Sequence, residues 1–578
     1  MRRHHIVLGI TGVGDRFHDN SVCLVVDGKV VFAASEERYT RVKHDASFPE
    51  SAIKAALKFG EIKFKDVDII ATGWPRTSLV KVLLNENKID LFLSGIHFVQ
   101  NANLRAILDL VRLVGQGGLK PVSNELQKSK IVEVDHYLAH ASSAYRTSGF
   151  EKCICVVWDG FGAKSDGLLA SGGVFECIDG EINEVNVHPL NVSIGLFYEA
   201  VTNALGFTPA EGEGKTMGLA CYGNYKRFLK RMEIFAPRFQ EDRWVKSKHW
   251  PDTLVGVDLA YKPIFDSTYM GRELKRMAVE SAKDTAAACQ YIIERESVAY
   301  FKYLYQKYGH QNYALAGGVF LNVKVGKKIM ELPFVKGYFV HPHAGDGGLA
   351  IGAALEVYTK HFPNGSLVCK MESSALGDEF LEPAIHKELK RYKKLIYFKP
   401  QNIAKYVASE IAQGKVVGWF QGRAEWGPRA LGQRSVLADP RKIEIKERIN
   451  NYLKKREWFM PFAASILDEY KTKLFENAVS TPFMTMAFDA TPFGKKAIKA
   501  AIHIDNTGRP QTVRKETNPL YWKVIHEFYE LTGVPAILNT SFNRHGLPIV
   551  NSPRDAIDHL LWGAIDELAI GSYVAKIK

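Results

Sequence analysis

The sequence predicts an α/β protein with two domains. Short apolar, β-branched runs alternate with longer amphipathic stretches, a pattern typical of strands connected by helices in a sheet with much parallel pairing. The length of 578 residues exceeds what one hydrophobic core supports, and the α/β pattern weakens into Pro, Gly, Ser and Lys from about 357 to 395. We therefore predict a first domain over residues 1–360, a boundary or linker over 361–395, and a second domain over 396–578.

The individual elements follow from periodicity and turn residues. Strands are expected at 6–9, 21–26 and 30–34, and Asp27 and Gly28 form a tight turn between the last two. Further elements are predicted from the same patterns: a helix over 48–58, a strand over 67–72, a mostly helical insertion over 76–128, a helix over 281–308, a strand over 313–316, a helix from about 403, and a strand over 415–420. We interpret the insertion as a place for a lid or an acceptor-recognition surface.

Composition narrows the class of protein. Hydrophobic residues make up 46% of the chain and charged residues 24%, and no apolar run approaches the ~20 residues that span a bilayer. We therefore expect a cytoplasmic protein. The seven cysteines form no CxxC pair, which favours reduced core thiols over zinc ribbons or disulfides. The net charge of +13 is spread among acids, so phosphorylated small substrates explain it as well as nucleic acid does.

The most informative motif joins two histidines to two aspartates. His136 and His140 are one helical turn apart, the spacing at which two imidazoles can bind one metal ion. Asp159 follows a strand-like run and precedes a Gly-rich turn, and Asp346 lies in a second Gly-rich segment. An isolated HxxxH pair is more often two ordinary helix histidines, but the two flanking aspartates favour a metal site.

Several glycine-containing loops of the first domain suit a nucleotide. Gly317, Gly318 and Asn322 follow a predicted strand, where backbone N–H groups can approach phosphates. His18 and Asp19 stand at the entry to another strand. Lys215 lies in a segment that resembles the end of a Walker A loop, but Pro209 occupies the position of the required first glycine, so that pattern fails.

The second domain contains four clusters of basic residues on turns, interleaved with glycine, hydroxyl and amide side chains. Guanidinium groups bind phosphate oxygens in bidentate fashion, and Ser and Asn add hydrogen bonds, so the clusters suit carbamoyl phosphate or an adenosine phosphate. Asn539 and Thr540 are the candidate nucleotide contacts of this set. The clusters are residues 422–435, 454–457, 505–509 and 539–543.

In combination these motifs resemble the NodU/CmcH family of O-carbamoyltransferases over essentially the full chain. The matching segments, in order, are His18-Asp19, Glu36–Arg38 through Lys43-His44, Asp135–Tyr145, Trp158–Gly160, Gly214–Gly223, Ala316–Asn322, His343–Gly348, Gly422–Arg441, Arg456–Phe462, Asp505–Val513 and Asn539–Asn543. The resemblance implies a first domain with the actin-like ATPase superfold and a YrdC-like second domain. It also implies that the second domain forms carbamoyladenylate from carbamoyl phosphate and ATP, and that the first transfers the carbamoyl group to an acceptor hydroxyl.

Residue roles follow from the same resemblance. It implies a divalent metal, with Fe(II) as the family expectation and Zn(II) or Mn(II) chemically permissible. A small hydroxylated natural product or sugar would be the acceptor, and His18 would be its general base. The implied metal ligands are His136, His140, Asp159 and Asp346, the adenylate contact is Lys43, and the carbamoyl phosphate ligands are Arg429, Lys454, Arg509 and Ser541.

The chain departs from the family pattern at three positions. Met460 stands where an arginine that binds phosphate is usual, and Arg456 is a possible substitute ligand. Asn506 replaces a common glycine, a mild change because Asn tolerates positive φ. Cys221 replaces a proline, and nothing in the sequence explains that change.

Two other functions remain open from the sequence. An RNA-modifying enzyme of the threonylcarbamoylation type would explain the positive charge, although no run of aromatic and basic residues supports nucleic-acid binding. A nucleotide-dependent regulator on the actin-like fold would need neither metal nor carbamoyl phosphate. Hydrogenase maturation is disfavoured because the expected CxxC zinc fingers are missing. The sequence specifies neither the acceptor nor the oligomeric state, and a homodimer is compatible with it.

Overall fold

The computed structural model describes residues 4–11, 19–74, 130–166, 168–250, 268–362 and 368–578. The chain divides into two compact units. Unit 1 contains Met1–Glu36 and His44–Lys370, and unit 2 contains Glu37–Lys43 and Met371–Lys578. His18 and the predicted insertion at 76–128 lie outside the described residues.

The division after Lys370 falls within the stretch predicted as a boundary, residues 361–395. That stretch also contains an ordered element of unit 2, the helix Glu382–Leu389, which starts with Pro383 in its first turn. Ile385 and Leu389 of this helix are buried in the core of unit 2. The weak α/β pattern of the sequence therefore includes a helix of unit 2 as well as a connection.

The first sheet of unit 1 has five strands in the order β3-β2-β1-β4-β5. Consecutive strands β1, β2 and β3 pair antiparallel, whereas β4 and β5 join in parallel. The strands are β1 Ile6–Ile10, β2 Ser21–Val26, β3 Lys29–Ser35, β4 Ile69–Thr72 and β5 Ile131–Glu133. The turn at Asp27 and Gly28, both with positive φ, connects β2 to β3 as predicted.

The second sheet of unit 1 repeats this topology. Its order is β12-β11-β6-β7-β8, with β6, β7 and β8 antiparallel and β11 and β12 added in parallel to β6. The strands are β6 Lys152–Ala163, β7 Leu169–Ile178, β8 Glu181–Pro189, β11 Asn312–Ala316 and β12 Gly337–Val340, while β9 Arg238–Gln240 and β10 Arg243–Val245 form a separate hairpin. The duplicated arrangement agrees with the actin-like fold that the resemblance implies.

Helices supply the crossovers that parallel strands require. The helix Ala282–Tyr308 precedes β11, as the amphipathic pattern predicted, and it packs into an aromatic core beside β6. The principal helices of unit 1 are Glu50–Phe59, His136–Ser148, Ile194–Ala204, Glu213–Ala220, Tyr269–Glu280, Ala282–Tyr308, Val323–Met330 and Leu349–His361. No helix in the described part of the chain has the length and apolarity needed to cross a membrane.

Unit 2 contains an eight-stranded sheet in the order β13-β22-β21-β14-β15-β20-β16-β19. Only two of its seven strand pairs are parallel, β14 with β21 and β16 with β19, which is less parallel pairing than the sequence predicted. Short connections such as the turn at Gly571 between β21 and β22 permit only antiparallel pairing. The strands are β13 Leu395–Phe398, β14 Val417–Phe420, β15 Arg434–Ala438, β16 Ala463–Leu467, β19 Gln511–Val513, β20 Ala536–Ser541, β21 Glu567–Ile570 and β22 Tyr573–Ile577, with β17 Phe488–Asp489 and β18 Thr507–Gly508 forming a small ribbon.

The helices of unit 2 cover this sheet. A π-helix over Ile449–Lys454 ends at Lys455, whose φ of 46° is left-handed. Because π-helical turns often occur at functional positions, the place of Lys454 at the end of this helix favours a functional role for it. The other helices are Glu37–Thr40, Glu382–Leu389, Ile403–Ala412, Ile443–Arg448, Lys471–Leu474, Pro492–Ala497, Pro519–Thr532 and Pro553–Leu561.

Candidate functional site

The helix His136–Ser148 positions the two histidines. Asp135 caps its N-terminus by accepting hydrogen bonds from the Tyr137 and Leu138 N–H groups, at 3.0 and 3.4 Å. The helix ends at Gly149, whose φ of 81° is left-handed. Because the helix starts at His136, the two imidazoles lie on consecutive turns of one buried face.

Asp159 lies in a bulge of strand β6. The predicted Gly-rich turn after this residue is instead a continuation of the strand through Ala163. Between the pairs Trp158–Gly172 and Gly162–Ala170, three residues of β6 lie opposite one residue of β7. Such bulges locally re-aim side chains, and here the bulge directs Asp159 toward the histidines.

Asp346 starts a short 3₁₀ turn that leads into the helix Leu349–His361. This helix packs closely on His136–Ser148, since a Cβ at Gly352 would lie 1.8 Å from the Ala139 carbonyl oxygen. Glycine is therefore required at 352 for the two helices to approach. The close packing of the two helices places Asp346 Oδ1 3.4 Å from His140 Nε2.

The four side chains meet at one point. His140 Nε2 lies 3.4 Å from Asp159 Oδ2 and 3.4 Å from Asp346 Oδ1, and His136 Nε2 lies 3.7 Å from Asp159 Oδ2. One ligand atom from each residue lies within 4.8 Å of the other three. Atoms that bind one ion at about 2.1 Å are separated by about 3.0–3.4 Å, so a small contraction completes a coordination shell.

The buried imidazole nitrogens support a metal at this point. Both rings are fully buried, and none of their four nitrogens has a hydrogen-bond partner among the described residues. Buried polar atoms without partners are rare, and a coordinated ion would satisfy Nε2 of each ring. The N₂O₂ donor set suits a divalent first-row ion.

His140 and Asp159 shift each other's pKa. Burial alone would lower the pKa of His140, but the carboxylates of Asp159 and Asp346 outweigh burial and raise that pKa to about 9. Burial acts to raise the pKa of Asp159, yet the two imidazoles hold it well below its usual range. Asp159 is therefore available as an anionic ligand at neutral pH.

Glycines allow the backbone to pass close to Asp159 and its neighbour Trp158. Gly317 has a φ of 94°, and a Cβ there would lie 2.1 Å from the Trp158 carbonyl oxygen. The Gly318 N–H donates to Asp159 Oδ1 at 3.3 Å. Asn322 caps the helix Val323–Met330 and exchanges hydrogen bonds with the Gln290 amide. In this structure Gly317 packs on the Trp158 backbone, Gly318 contacts Asp159, and Asn322 is engaged in helix capping.

Gly162 lies directly against His136. An added Cβ would lie 2.5 and 2.7 Å from Cδ2 and Nε2 of that ring. We expect Gly162→Ala to displace the imidazole and to lower the bound metal several-fold, measured by elemental analysis of the purified protein. Gly345→Ala is the control, because a Cβ at 345 meets nothing within 4 Å. Equal metal content in the two variants and the parent protein would contradict the assigned position of His136.

In unit 2, Lys454 is buried at the centre of a hydrogen-bonded cluster. Its Nζ donates to the backbone and side-chain oxygens of Ser541, at 2.5 and 2.8 Å, and to those of Asn543, at 3.1 and 2.7 Å. Burial, and next the positive charge of Arg456, hold the pKa of Lys454 well below its usual range. Among the residues that the structure describes, no carboxylate forms an ion pair with Lys454.

Three arginines add to this positive charge. Burial lowers the pKa of Arg429 to about 10 and that of Arg456 to about 10. Burial also holds the pKa of Arg509 well below its usual range, and Arg429 and Arg456 lower it further. In the described part of the chain Arg429 and Arg509 have no hydrogen bond or ion pair. We call these three half-buried arginines and the buried Lys454 the cation cluster. Partly desolvated cations grouped in this way are suited to an anion.

Arg456 is held by the protein. Its Nε donates to Asn450 Oδ1 at 2.8 Å, one Nη donates to the Pro461 carbonyl at 3.1 Å, and the guanidinium lies over the Phe462 ring. These contacts fix the guanidinium next to Met460, where the family pattern has an arginine.

Other residues of the predicted phosphate-binding motifs have structural partners. Arg434 is fully buried and donates to the Gln421 and Gly422 carbonyls, and Arg423 donates to Gly377 and Leu376. Asn539 is buried and donates to the Ala430 carbonyl, Ser465 and Gln511, while Thr540 pairs with Val436 in the sheet. These side chains shape the loops that carry Arg429 and Ser541.

Two features were missed at the sequence level. His341 is buried in unit 1, its Nε2 has no hydrogen-bond partner among the described residues, and burial lowers its pKa to about 3. Its proximity to His140 depends on the fold, since only the motif around His343 had been noted. Lys43 belongs to unit 2 although it lies early in the chain.

Comparisons with known proteins place these sites in context. A family model for the carbamoyltransferase N-terminus matches residues 9–355, and one for the carbamoyltransferase C-terminus matches residues 408–576. Together the two models span most of the chain. The metal-ligand group lies within the first model, and the cation cluster lies within the second.

Three relatives show the extent of the similarity. Nodulation protein NolNO of Sinorhizobium fredii is 33% identical over 97% of this chain and 79% of its own length. Nodulation protein NolO of Bradyrhizobium diazoefficiens is 35% identical over 77% of this chain and 79% of its own length. Nodulation protein U of Sinorhizobium fredii is 25% identical over 95% of this chain and 96% of its own length.

Proposed function

Because the chain belongs to the carbamoyltransferase family, we propose that it converts carbamoyl phosphate and ATP into carbamoyladenylate and transfers the carbamoyl group to a hydroxyl of a small molecule. A natural product or a sugar is the acceptor class. The observation that carries the proposal is the cation cluster of unit 2, in which Arg429 and Arg509 have no partner in the described part of the chain.

The first half-reaction belongs to unit 2. Carbamoyl phosphate is cleaved by water to carbamate and inorganic phosphate. A carbamate oxygen then attacks the α-phosphorus of ATP, and pyrophosphate leaves. Arg429, Arg456 and Arg509 hold phosphoryl oxygens, and Lys454 both holds the Ser541 loop and supplies charge. Neutralising phosphate charge is the main electrostatic task of such a site.

The second half-reaction belongs to unit 1. The acceptor oxygen attacks the carbamoyl carbon, the bond from that carbon to the AMP oxygen breaks, and the acceptor proton passes to His18. Lys43, a residue of unit 2, binds the adenylate that the first half-reaction produces. A divalent ion held by His136, His140, Asp159 and Asp346, for which we propose Fe(II), would supply a Lewis acid for the carbamoyl or phosphate oxygens.

The test is direct detection of the intermediate. The purified chain is incubated with ATP, carbamoyl phosphate and a divalent metal, and carbamoyladenylate is measured by mass spectrometry. A screen of hydroxylated natural products and sugars then identifies the acceptor. The proposal would be overturned if a folded, metal-loaded preparation formed no carbamoyladenylate and showed no ATP turnover that depends on carbamoyl phosphate.

His18→Asn tests the general base. If His18 accepts the acceptor proton, the variant keeps metal binding and adenylate formation but transfers about 10²–10⁴-fold more slowly. It also loses the decline in rate at acidic pH, because that decline reflects protonation of the imidazole. Single-turnover transfer from preformed carbamoyladenylate, measured across pH, checks both effects. A variant that transfers at the parental rate would exclude the role, and parallel loss of stability and of both half-reactions would indicate a structural histidine.

A further inference from the structure

A short segment from the start of the chain is built into unit 2. The chain leaves unit 1 after Glu36 and returns to it at His44, so residues 37–43, which we call the clip, belong to unit 2. The clip consists of the helical turn Glu37–Thr40 followed by three residues. Unit 2 is therefore completed by a segment that lies more than 300 positions earlier in the sequence.

The first anchor of the clip contacts the Arg429 loop. Arg38 is buried, and one of its Nη groups donates to the Gly427 carbonyl oxygen at 2.8 Å. Gly427 is two residues before Arg429, and its φ of 97° is left-handed. A guanidinium at this carbonyl restricts the turn from which Arg429 projects.

The second anchor contacts the Ser541 loop. The two Nη groups of Arg41 donate to the Ile549 carbonyl at 2.7 Å and to the Pro548 carbonyl at 2.9 Å, and its Nε lies 3.6 Å from Asp555 Oδ1. The backbone at Arg41 has a φ of 64°, an uncommon value for a residue with a Cβ. Such a conformation persists where the surroundings fix it.

Pro548 and Ile549 are connected to the residues around Lys454. The Asn543 side chain donates to the Leu547 carbonyl at 2.6 Å, and the Val550 N–H donates to the Phe542 carbonyl at 3.0 Å. Phe542 and Asn543 directly follow Ser541. Arg41 therefore binds the end of this loop at Pro548 and Ile549, whereas Lys454 binds its beginning at Ser541 and Asn543.

Tyr39 provides a third anchor between these two. Its hydroxyl donates to Asp378 Oδ2 at 2.6 Å, and the same oxygen accepts from Asn551 Nδ2 at 3.0 Å. Asn551 follows the Arg41-bound carbonyls by two residues. The clip thus bonds to the loop that carries Arg429 and to the loop that carries Ser541, and none of its three anchors is itself a predicted phosphate ligand.

We propose that the clip is a positioning element for the cation cluster: Arg38 and Arg41 hold the Arg429 and Ser541 loops at the separation that a bound phosphate group requires. The inference rests on the proposed function only in naming that phosphate as part of carbamoyl phosphate. It makes anion binding by unit 2 depend on residues from the N-terminal part of the sequence. Small errors in such positioning have large effects on rate.

Binding of inorganic phosphate to the full-length protein tests the clip without turnover. Isothermal titration calorimetry is performed on the parent, Arg41→Met and the control Arg448→Met, whose arginine pairs with Asp566 away from the clip. We expect Arg41→Met to weaken phosphate binding about tenfold or more, and Arg448→Met to change it less than about twofold. Phosphate binding by Arg41→Met at the parental affinity would overturn the proposal.

Two further variants separate positioning from stability. Tyr39→Phe removes one hydroxyl and keeps the ring, and its control is Tyr406→Phe, which removes a hydroxyl bonded to Glu567. Positioning predicts a weaker phosphate affinity and a higher KM for carbamoyl phosphate in Tyr39→Phe, measured well below the melting temperature. A lower melting temperature with unchanged affinity and KM in both Tyr39→Phe and Arg41→Met would show that the clip only stabilises the unit. A parent protein that binds phosphate but makes no carbamoyladenylate would contradict the proposed function, but it would not contradict the positioning role of the clip.

Discussion

Arg509→Ala is expected to lower the rate of carbamoyladenylate formation by about 100-fold or more, because it removes one donor group from a preorganised phosphate site. Arg509 is half-buried, its charge is felt by Arg429 and Arg456, and no hydrogen bond or ion pair in the described part of the chain engages it. The rate is measured as pyrophosphate exchange into ATP that depends on carbamoyl phosphate. Transfer from preformed carbamoyladenylate should remain, since that step is assigned to unit 1.

The folded state should tolerate this change. Removing a positive charge that Arg429 and Arg456 repel relieves that repulsion, so we expect no loss of thermal stability. Arg391→Ala is the control, because Arg391 forms an exposed ion pair with Glu388 in the same unit. If Arg509→Ala forms carbamoyladenylate at the parental rate, the phosphate site lies elsewhere.

His140→Ala is expected to remove most of the bound metal and most of the transfer activity. His140 is the one histidine of the group whose Nε2 lies 3.4 Å from both carboxylates, so its loss removes the ligand between them. Carbamoyladenylate formation should persist because its residues belong to unit 2. Metal content by elemental analysis and transfer from preformed carbamoyladenylate are the two measurements.

His310→Ala serves as the matched control. His310 belongs to unit 1 and pairs with Glu176 at 3.0 Å, outside the metal-ligand group. The His310→Ala variant should retain both the bound metal and the transfer activity. A metal-free His140→Ala protein that transfers at the parental rate would show that the four-residue group does not serve the reaction.

Local structure was largely predictable from the residues themselves. The helix that carries His136 and His140 depends on its cap Asp135 and on its terminal Gly149, and all of these are close in sequence. The β-branched run before Asp159 likewise predicts a buried strand from its own composition. Asp159 and Asp346 were candidate ligands from their Gly-flanked segments, and the family resemblance implied the same set. Their distances from the histidines came only from the fold, because spacing along the chain does not measure distance in space.

The bulge at Asp159 was not predictable in the same way. The glycines after Asp159 indicated a turn, whereas the strand continues because β7 pairs with it on both sides of the irregularity. Pairing with a neighbouring strand can outweigh the turn preference of Gly-rich residues. Unit 2 has less parallel pairing than its α/β pattern predicted for a different reason, since short connections such as the turn at Gly571 permit only antiparallel pairing.

The sequence by itself determined the α/β class, the HxxxH helix and the basic motifs of the second domain. Only the tertiary structure decided which basic residues remain available for an anion. Arg423 and Arg434 share a motif with Arg429, yet they donate to backbone carbonyls while Arg429 has no partner in the described part of the chain. It also decided that the clip completes unit 2. The physical reason is that residue type sets which bonds a side chain can form, whereas the acceptors within its reach are set by segments distant in sequence that packing brings together.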